Sequence, residues 1–321
     1  MSSMYSSTLG YYGKLPLSAE FIRCQASGAE IDALDQWIRE GMFHAKSTLG
    51  PSWSMEFMQG DQWTFLYLPP DRSRFLVGLL KPSQDKAGRE FPFLIYLLLE
   101  RKEFHEIPWC APMHFREFFE QSHRLLEDIS TEADLNRLQF RLQALSPVEA
   151  PETTFIETRY HAELLHRRMR EYWTDVLGGF DSTQKYDLLR SLLHSRSGSD
   201  SASRRHWQAQ FPLLIDSKEE TYDLPFWMDL ASHASGHRPE AGILFWNRWP
   251  SKVKPLLLVS LERPLPQLLL SLIRPEGEPN ELLKNDDAGH LAEAGRALLD
   301  DGDVTLEAFL HRVSGLRAEG S

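Results

Sequence analysis

Hydrophobic residues recur at steps of three and four between residues 31 and 49, a spacing that places them on one face of an α-helix. Ser27 and Glu30 stand three residues apart just before this region, which is the spacing of a capping box. Gly50 and Pro51 follow it. Glycine accepts the left-handed conformation that ends a helix, and proline cannot continue one. The pattern therefore predicts a capped amphipathic helix that ends at residue 49.

Three short apolar runs, rich in aromatic and branched residues, follow at residues 63–68, 75–80 and 91–99. The connection at residues 81–89 contains proline, serine, aspartate and glycine, which are typical of turns, and it is short enough to join antiparallel neighbours. Because the runs are almost continuously hydrophobic, rather than alternating with polar residues, they predict strands that are covered on both faces of a sheet.

Helical spacings and apolar runs alternate through the rest of the chain. The first strand is expected after Tyr11, beyond a loose serine-rich terminus at residues 2–8. Further strands are predicted at residues 211–215, 242–247 and 256–261. Further helices are predicted as a pair within residues 114–145, broken near Ser130, and singly at residues 160–177, 226–231, 264–273, 290–299 and 305–313.

These elements predict an α/β (α+β) fold with a mostly antiparallel sheet flanked by helices. Residues 274–280 are rich in proline, glycine and glutamate, a composition typical of a linker. We therefore expect a main domain over residues 1–275 and a C-terminal helical appendage over residues 276–321. A serine-rich stretch at about residues 195–204 is predicted to be a mobile loop within the main domain.

Composition and charge narrow the classes of function. The chain is 321 residues long, 42% hydrophobic and 25% charged, as in ordinary globular proteins. Its net charge of −11 would repel a phosphate backbone, so a nucleic-acid partner is not expected. The N-terminus lacks the pattern of a secretory signal, no apolar run reaches the roughly 18 residues of a membrane helix, and two cysteines fit a reducing compartment. These features predict a cytoplasmic protein without membrane insertion.

The sequence contains no pattern typical of a catalytic centre. Gly10 to Lys14 superficially suggests a phosphate loop, but the glycines of that motif are spaced wider, and Leu15 stands where serine or threonine would bind magnesium. The histidines lack metal-ligand spacing, and there is no Gly-x-Ser-x-Gly elbow. We therefore predict no enzymatic activity, no metal and no cofactor. A hydrolase or phosphatase of unrecognised type is the less favoured alternative.

Two segments indicate a protein family more specifically than any of the features above. The first reads Gly-Tyr-Tyr-Gly-Lys-Leu-Pro from Gly10, followed by Glu-Phe-Ile-Arg from Glu20; the second reads Pro-Ser-Gln-Asp-Lys-Ala-Gly-Arg-Glu-Phe-Pro over residues 82–92. Together with the helix that carries Trp37, they resemble the signature of the TagF (ImpM) family of type VI secretion accessory proteins. That family usually has Gly-Asp-Phe where this chain has Ala-Glu-Phe from Ala19, which implies a different turn here.

The resemblance implies a regulatory function. Similar proteins repress type VI secretion after translation, some of them through a forkhead-associated (FHA) scaffold protein. The resemblance therefore implies a non-enzymatic accessory protein that binds and sequesters an assembly component such as this scaffold. The net negative charge favours docking onto a basic patch of that partner. A structural subunit of the secretion apparatus is the alternative reading.

Candidate partner-binding residues follow from the two segments and from a tryptophan pair at a strand end. Asp85 is expected to accept backbone amides, Gly88 to adopt a positive φ, and Arg89 to pair with Asp85 or Asp35. Lys14 either pairs with Glu20 or faces a partner. An exposed aromatic pair at the strand end would anchor an interface. The full set of candidates is Lys14, Pro16, Glu20, Ser83, Asp85, Arg89, Trp246 and Trp249.

Overall fold

The computed structural model describes residues 7–70, 73–101, 108–129, 134–145, 153–194, 206–214, 222–235, 241–247, 254–275 and 293–318. The strands in these ranges are β1 (Ser7–Gly13), β2 (Ile22–Cys24), β3 (Trp63–Leu68), β4 (Arg74–Lys81), β5 (Phe93–Glu100), β6 (His206–Pro212), β7 (Gly242–Trp246) and β8 (Leu256–Glu262). They form one antiparallel sheet in the order β2-β1-β5-β4-β3-β7-β8-β6. The predicted mixed class with a mostly antiparallel sheet is confirmed.

Helices cover both faces of this sheet. One face packs against α1 (Ala29–Leu49), α2 (Trp53–Met58) and α10 (Gln267–Ile273). The other packs against α3 (Ala111–His114), α4 (Arg116–Asp128), α5 (Leu135–Gln143), α6 (Thr153–His166), α7 (Met169–Leu177), α8 (Gln184–His194), α9 (Asp223–Ser235), α11 (Glu293–Asp300) and α12 (Leu306–Ala318).

Side chains of the central strands alternate between the two helical layers. In β4, Phe75, Val77 and Leu79 belong to the core of the larger layer. Leu76 and Leu80 belong to the core beneath α1. This period of two is the strand repeat, and it explains why the strands are hydrophobic at nearly every position.

The start of α1 differs from the predicted capping box. Gly28 is the N-cap, with φ 114° and ψ 161°, and no side chain caps the helix. Glu30 is buried and accepts hydrogen bonds from Nε and Nη2 of Arg74, each 2.8 Å long. The capping-box prediction is wrong because this carboxylate binds an arginine of β4 instead of the backbone at the helix start.

Helix α1 lies very close to α10. A Cβ atom on Gly41 would stand 2.7 Å from the Cβ of Leu269, so glycine is what permits this approach. The indole Nε1 of Trp37 donates to the carbonyl of Leu265 at 3.0 Å. These contacts join the N-terminal third of the chain to the segment that follows β8.

Other boundaries also differ from expectation. Strand β1 begins at Ser7, within the segment expected to be loose, because Ser7 pairs with Leu99 of β5. The helix predicted at residues 160–177 is two helices, α6 and α7. They separate at Arg168, which is extended (φ −92°, ψ 149°) and bridges to Thr305. Helix α8 was not predicted.

The two C-terminal helices contribute to the larger core. Leu299 and Phe309 are fully buried, in the same cluster as residues of α4 to α9. The backbone around Arg168 also bonds to this region, since Met169 N donates to the Val304 carbonyl at 2.9 Å. The division of the chain at residue 275 stays a prediction, and the serine-rich stretch lies outside the described residues.

Candidate functional site

The two motif segments, far apart in sequence, meet at one end of the sheet. Strand β1 ends at Gly13, β5 begins at Phe93, and the two strands are neighbours. Antiparallel pairing therefore brings the chain after β1 against the chain before β5. We call residues 13–23 and 82–92 together the motif platform.

Asp85 is the centre of the motif platform. Its side chain has no exposed surface, and Oδ1 accepts hydrogen bonds from the backbone N–H groups of Ala87 and Arg89, both at 2.9 Å. Oδ2 accepts a 2.7 Å bond from Arg89 Nε and lies 3.2 Å from Lys14 Nζ. Gly88 has φ +79°. This is the turn chemistry expected from the sequence, with two contacts to each carboxylate oxygen.

Hydrogen bonds across the motif platform hold its two loops together. Lys86 N donates to the Ser18 carbonyl at 2.9 Å, and Arg89 Nη2 donates to the Ala19 carbonyl at 2.6 Å. Lys14, on the first loop, pairs with Asp85 on the second. The first loop thus supplies, at Ala19, a carbonyl that binds the arginine of the second loop.

The pKa of Asp85 reflects competition between burial and hydrogen bonding. Burial alone would raise the pKa of the carboxyl group. Hydrogen bonds from the Arg89 backbone, Lys14, the Arg89 side chain and the Ala87 backbone outweigh this effect and lower the pKa to about 2 from 3.8. Asp85 is therefore a carboxylate at any physiological pH.

The lowered pKa predicts an acid dependence of stability. Between about pH 4 and about pH 2 the unfolded chain binds a proton at Asp85 that the folded protein does not, so this contribution to stability is complete above that window and is lost as the pH falls through it. The melting temperatures of the wild type and of Asp85→Asn should therefore converge as the pH drops from 4 to 2. A difference that stays constant over that range would contradict the assignment.

An aromatic cluster adjoins the motif platform. The ring of Phe21 stacks on Tyr12 with centroids 5.7 Å apart and meets the ring of Phe91 edge-on at 5.0 Å. Asp35 of α1 accepts hydrogen bonds from the Tyr12 hydroxyl and, at 2.8 Å, from Arg39 Nε. The cluster ties the platform to α1, and Asp35 is therefore engaged by α1 and β1 and not by Arg89.

Cations surround the Phe21 ring. The charged groups of Lys14, Arg23 and Arg39 lie 5.3, 5.2 and 5.7 Å from its centroid. Such positions are attractive because the ring face carries negative charge. Phe21, Arg23 and Arg39 were not among the predicted site residues. The signal that could have found the first two is their place directly after Glu20 in the motif.

The predicted candidates divide into buried and exposed groups. Ser83 and Asp85 are buried, and Lys14 is nearly so, with its charge on Asp85. Pro16, Glu20 and Arg89 are exposed. Of the two partners predicted for Arg89, the structure shows Asp85. Lys14 pairs with the same carboxylate, which the sequence did not predict as its partner.

The tryptophan pair behaves differently from the motif segments. Trp246 is 6% exposed and packs edge-on against Phe119 of α4, with centroids 5.7 Å apart. Its side chain therefore belongs to the core, and Trp249 lies outside the described residues. A partner-binding role for any of the eight candidates stays a prediction.

Two negative findings apply to the described part of the chain. There, no group of three or more His, Cys, Asp and Glu side chains is arranged to hold a metal ion. None of the helices in these ranges combines the length and apolar character needed to cross a membrane.

Comparison with known proteins gives a family and a fold. The sequence model of the TagF N-terminal domain, type VI secretion system-associated, matches residues 10–145. The crystal structure of PA0076 from Pseudomonas aeruginosa PAO1 is similar with a TM-score of 0.52 and 18% sequence identity, over 84% of this chain and 96% of that chain. At this identity the similarity concerns the fold alone. No curated protein matches the chain. Residues 10–145, which include the whole motif platform, are therefore similar to the TagF N-terminal domain, type VI secretion system-associated.

Proposed function

We propose that this protein is a non-enzymatic, cytoplasmic accessory protein that represses type VI secretion after translation. It would do so by binding and sequestering an assembly component, and an FHA-domain scaffold is the candidate that the TagF family implies. The observation that carries the proposal is the motif platform. The residues that resemble the family's signature fold into one surface, whose two loops are joined by hydrogen bonds and an ion pair.

The arrangement of the platform supports stoichiometric binding. Its buried layer, Asp85 with Lys14 and the turn amides, fixes the backbone of both loops. Its outer layer presents Pro16, Glu20 and Arg89 to solvent. A surface whose loops are already ordered loses less conformational entropy when a partner binds. The buried residues thus support the shape, and the exposed residues are those available for contact.

The test combines secretion with the amount of protein. Deleting the gene is expected to raise the amount of protein released by type VI secretion. Expressing the protein from a titratable promoter should suppress release only when its copy number reaches that of the sequestered partner. Suppression at far lower copy number would indicate catalysis instead. Loss of secretion on deletion would indicate a structural subunit. Unchanged secretion in both experiments would refute the proposal.

Direct binding is the second arm of this test. Purified protein and the FHA-domain scaffold of the same secretion system are expected to elute together from size-exclusion chromatography at equimolar ratio. If they elute separately while deletion still raises secretion, repression stands and the scaffold is not the sequestered component.

A further inference from the structure

An exposed group of cations adjoins the motif platform on a chain that is acidic as a whole. Arg23 and Arg89 are exposed, and the Arg89 side chain retains 60% of its accessible surface. Lys86 is also exposed, and half of the Arg39 side chain faces solvent. We call this surface the basic patch. It carries the cations Lys14, Arg23, Arg39, Lys86 and Arg89, the carboxylates Glu20, Asp35 and Asp85, and the ring of Phe21.

Neutralisation within the basic patch is incomplete. Asp85 is fully buried and already forms ion pairs with Lys14 and Arg89, so its negative charge is balanced within the motif platform. Asp35 binds Arg39 and the Tyr12 hydroxyl. For Arg23, the described residues supply two ring contacts and no ion pair. Glu20 is exposed and offsets one cation, and Glu90 of the motif platform interacts with Ser54 and Lys46 instead. The five cations of the patch outnumber its three carboxylates, so the net charge of the patch is positive, opposite to the net charge of −11 of the chain.

The aromatic rings hold the arginines in place. The guanidinium of Arg23 lies 5.6 Å from the Tyr12 centroid and 5.2 Å from that of Phe21. The guanidinium of Arg39 lies 5.7 Å from Phe21 and 5.3 Å from Phe91. Because the rings contact the guanidinium groups, N–H groups remain to bind a carboxylate. In Arg39 these are the Nη groups, since its Nε already binds Asp35. The side chains are thus arranged before any partner arrives.

We propose that the basic patch is the docking surface for an acidic segment of a partner protein, with Arg23 and Arg39 binding its carboxylates. The partly exposed ring of Phe21 would contact an apolar side chain beside them. This inference rests on the proposed function for the identity of the partner. The charge pattern favours a short acidic peptide over nucleic acid, because a long polyanion would extend from the patch over the acidic remainder of the surface.

The test needs no knowledge of the partner. A phage-displayed library of random peptides, about a dozen residues long, is selected on the wild-type protein, and the consensus peptide is labelled with fluorescein for anisotropy. Selected sequences are expected to place Asp or Glu beside an aromatic or leucine residue. Arg23→Glu should weaken binding about tenfold, as expected for reversal of one contacting charge. Added salt should also weaken binding, because the contact is exposed.

A matched control separates local contact from overall charge. Arg124 lies on α4, in the helical layer on the opposite face of the sheet, and its side chain is 73% exposed. Arg124→Glu changes the net charge equally and is expected to leave peptide affinity within about twofold, because Arg124 is not part of the basic patch. Arg23→Glu removes two exposed ring contacts and no ion pair among the described residues, so it should keep a single cooperative melting transition at a slightly lower temperature.

Three outcomes would overturn the proposal: no enriched sequence, enrichment without acidic residues, or equal binding to wild type and Arg23→Glu. Competition by a single-stranded oligonucleotide with the affinity of the peptide would also overturn it, in favour of nucleic acid. If peptide binding behaves as expected while secretion is unaffected by deletion, the proposed function fails and the docking surface stands. If deletion raises secretion while Arg23→Glu binds the peptide as the wild type does, the docking surface fails and the proposed function stands.

Discussion

Replacing Gly13 with alanine is expected to lower the free energy of unfolding by about 3 kcal/mol or more, since a non-glycine residue in a strained backbone conformation alone costs about 1–3 kcal/mol. Gly13 has φ +138°, and an added Cβ would stand 2.2 Å from the Pro92 carbonyl oxygen and 2.7 Å from the Phe93 Cα. Both neighbours are backbone atoms, which cannot rotate away. The strand end would therefore have to separate from the second loop.

The same substitution should disrupt the motif platform. Lys14 follows Gly13 directly, so a shift of the backbone there moves its ammonium away from Asp85. Chemical denaturation followed by tryptophan fluorescence measures the stability loss. Gly88→Ala is the control, because Gly88 also has a positive φ, +79°, but an added Cβ would meet nothing within 4 Å. It should cost only about 1 kcal/mol. Equal losses at the two positions would contradict the role given to crowding.

Replacing Phe309 with alanine is expected to lower the free energy of unfolding by about 3–5 kcal/mol, the range for buried phenylalanines. Phe309 lies on α12 and is fully buried, with its ring edge-on to Trp173 of α7 at 6.4 Å. The substitution leaves a cavity between the C-terminal helices and the layer formed by α6 to α9.

This prediction also tests the proposed boundary at residue 275. If the C-terminal helices fold with the rest, Phe309→Ala should shift one cooperative transition, seen equally by tryptophan fluorescence and circular dichroism. Phe140→Ala is the control: Phe140 is 73% exposed, so its loss should change stability by no more than about 0.5 kcal/mol. A separate early transition in the Phe309 variant would indicate an independent appendage.

The elements that sequence predicted best are those whose signals are local. Strand β3 matches its predicted bounds because an uninterrupted apolar run lies between turn residues. Helix α1 follows its three-four spacing to Leu49. The turn around Asp85 and Gly88 also formed as expected, because its hydrogen bonds span only a few residues.

The elements that sequence missed depend on distant partners. Strand β1 extends back to Ser7 because β5, more than 80 residues later in the chain, supplies its hydrogen bonds. Arg168 interrupts a helical pattern because Thr305 pairs with it. Glu30 leaves the capping role because Arg74, 44 residues away, binds it. Local propensity is a weak preference that such contacts override.

The candidate site shows the same division. The motif identified the segments that meet. The ion partner of Lys14 required the fold, because the sequence suggested Glu20 and the structure places Asp85 beside it. Arg39 could not be selected from the sequence, because it joins the site only through the position of α1 beside Phe21 and Phe91. The exposure of each residue also required the fold. Arg89 and Asp85 form an ion pair, but the Arg89 side chain is exposed and the Asp85 side chain is buried.

The family-matched segment shares its sheet with the rest of the chain. Strand β3 pairs with β4 on one side and with β7 on the other, and the indole of Trp63 donates to the Leu272 carbonyl, 209 residues away. A fragment that stopped at residue 145 would leave the outer edge of β3 without its β7 neighbour and uncover an aromatic surface beneath α1. Such unprotected edges associate with one another. The segment that matches the TagF N-terminal domain is thus a unit of sequence similarity, and its sheet is completed by a strand outside it.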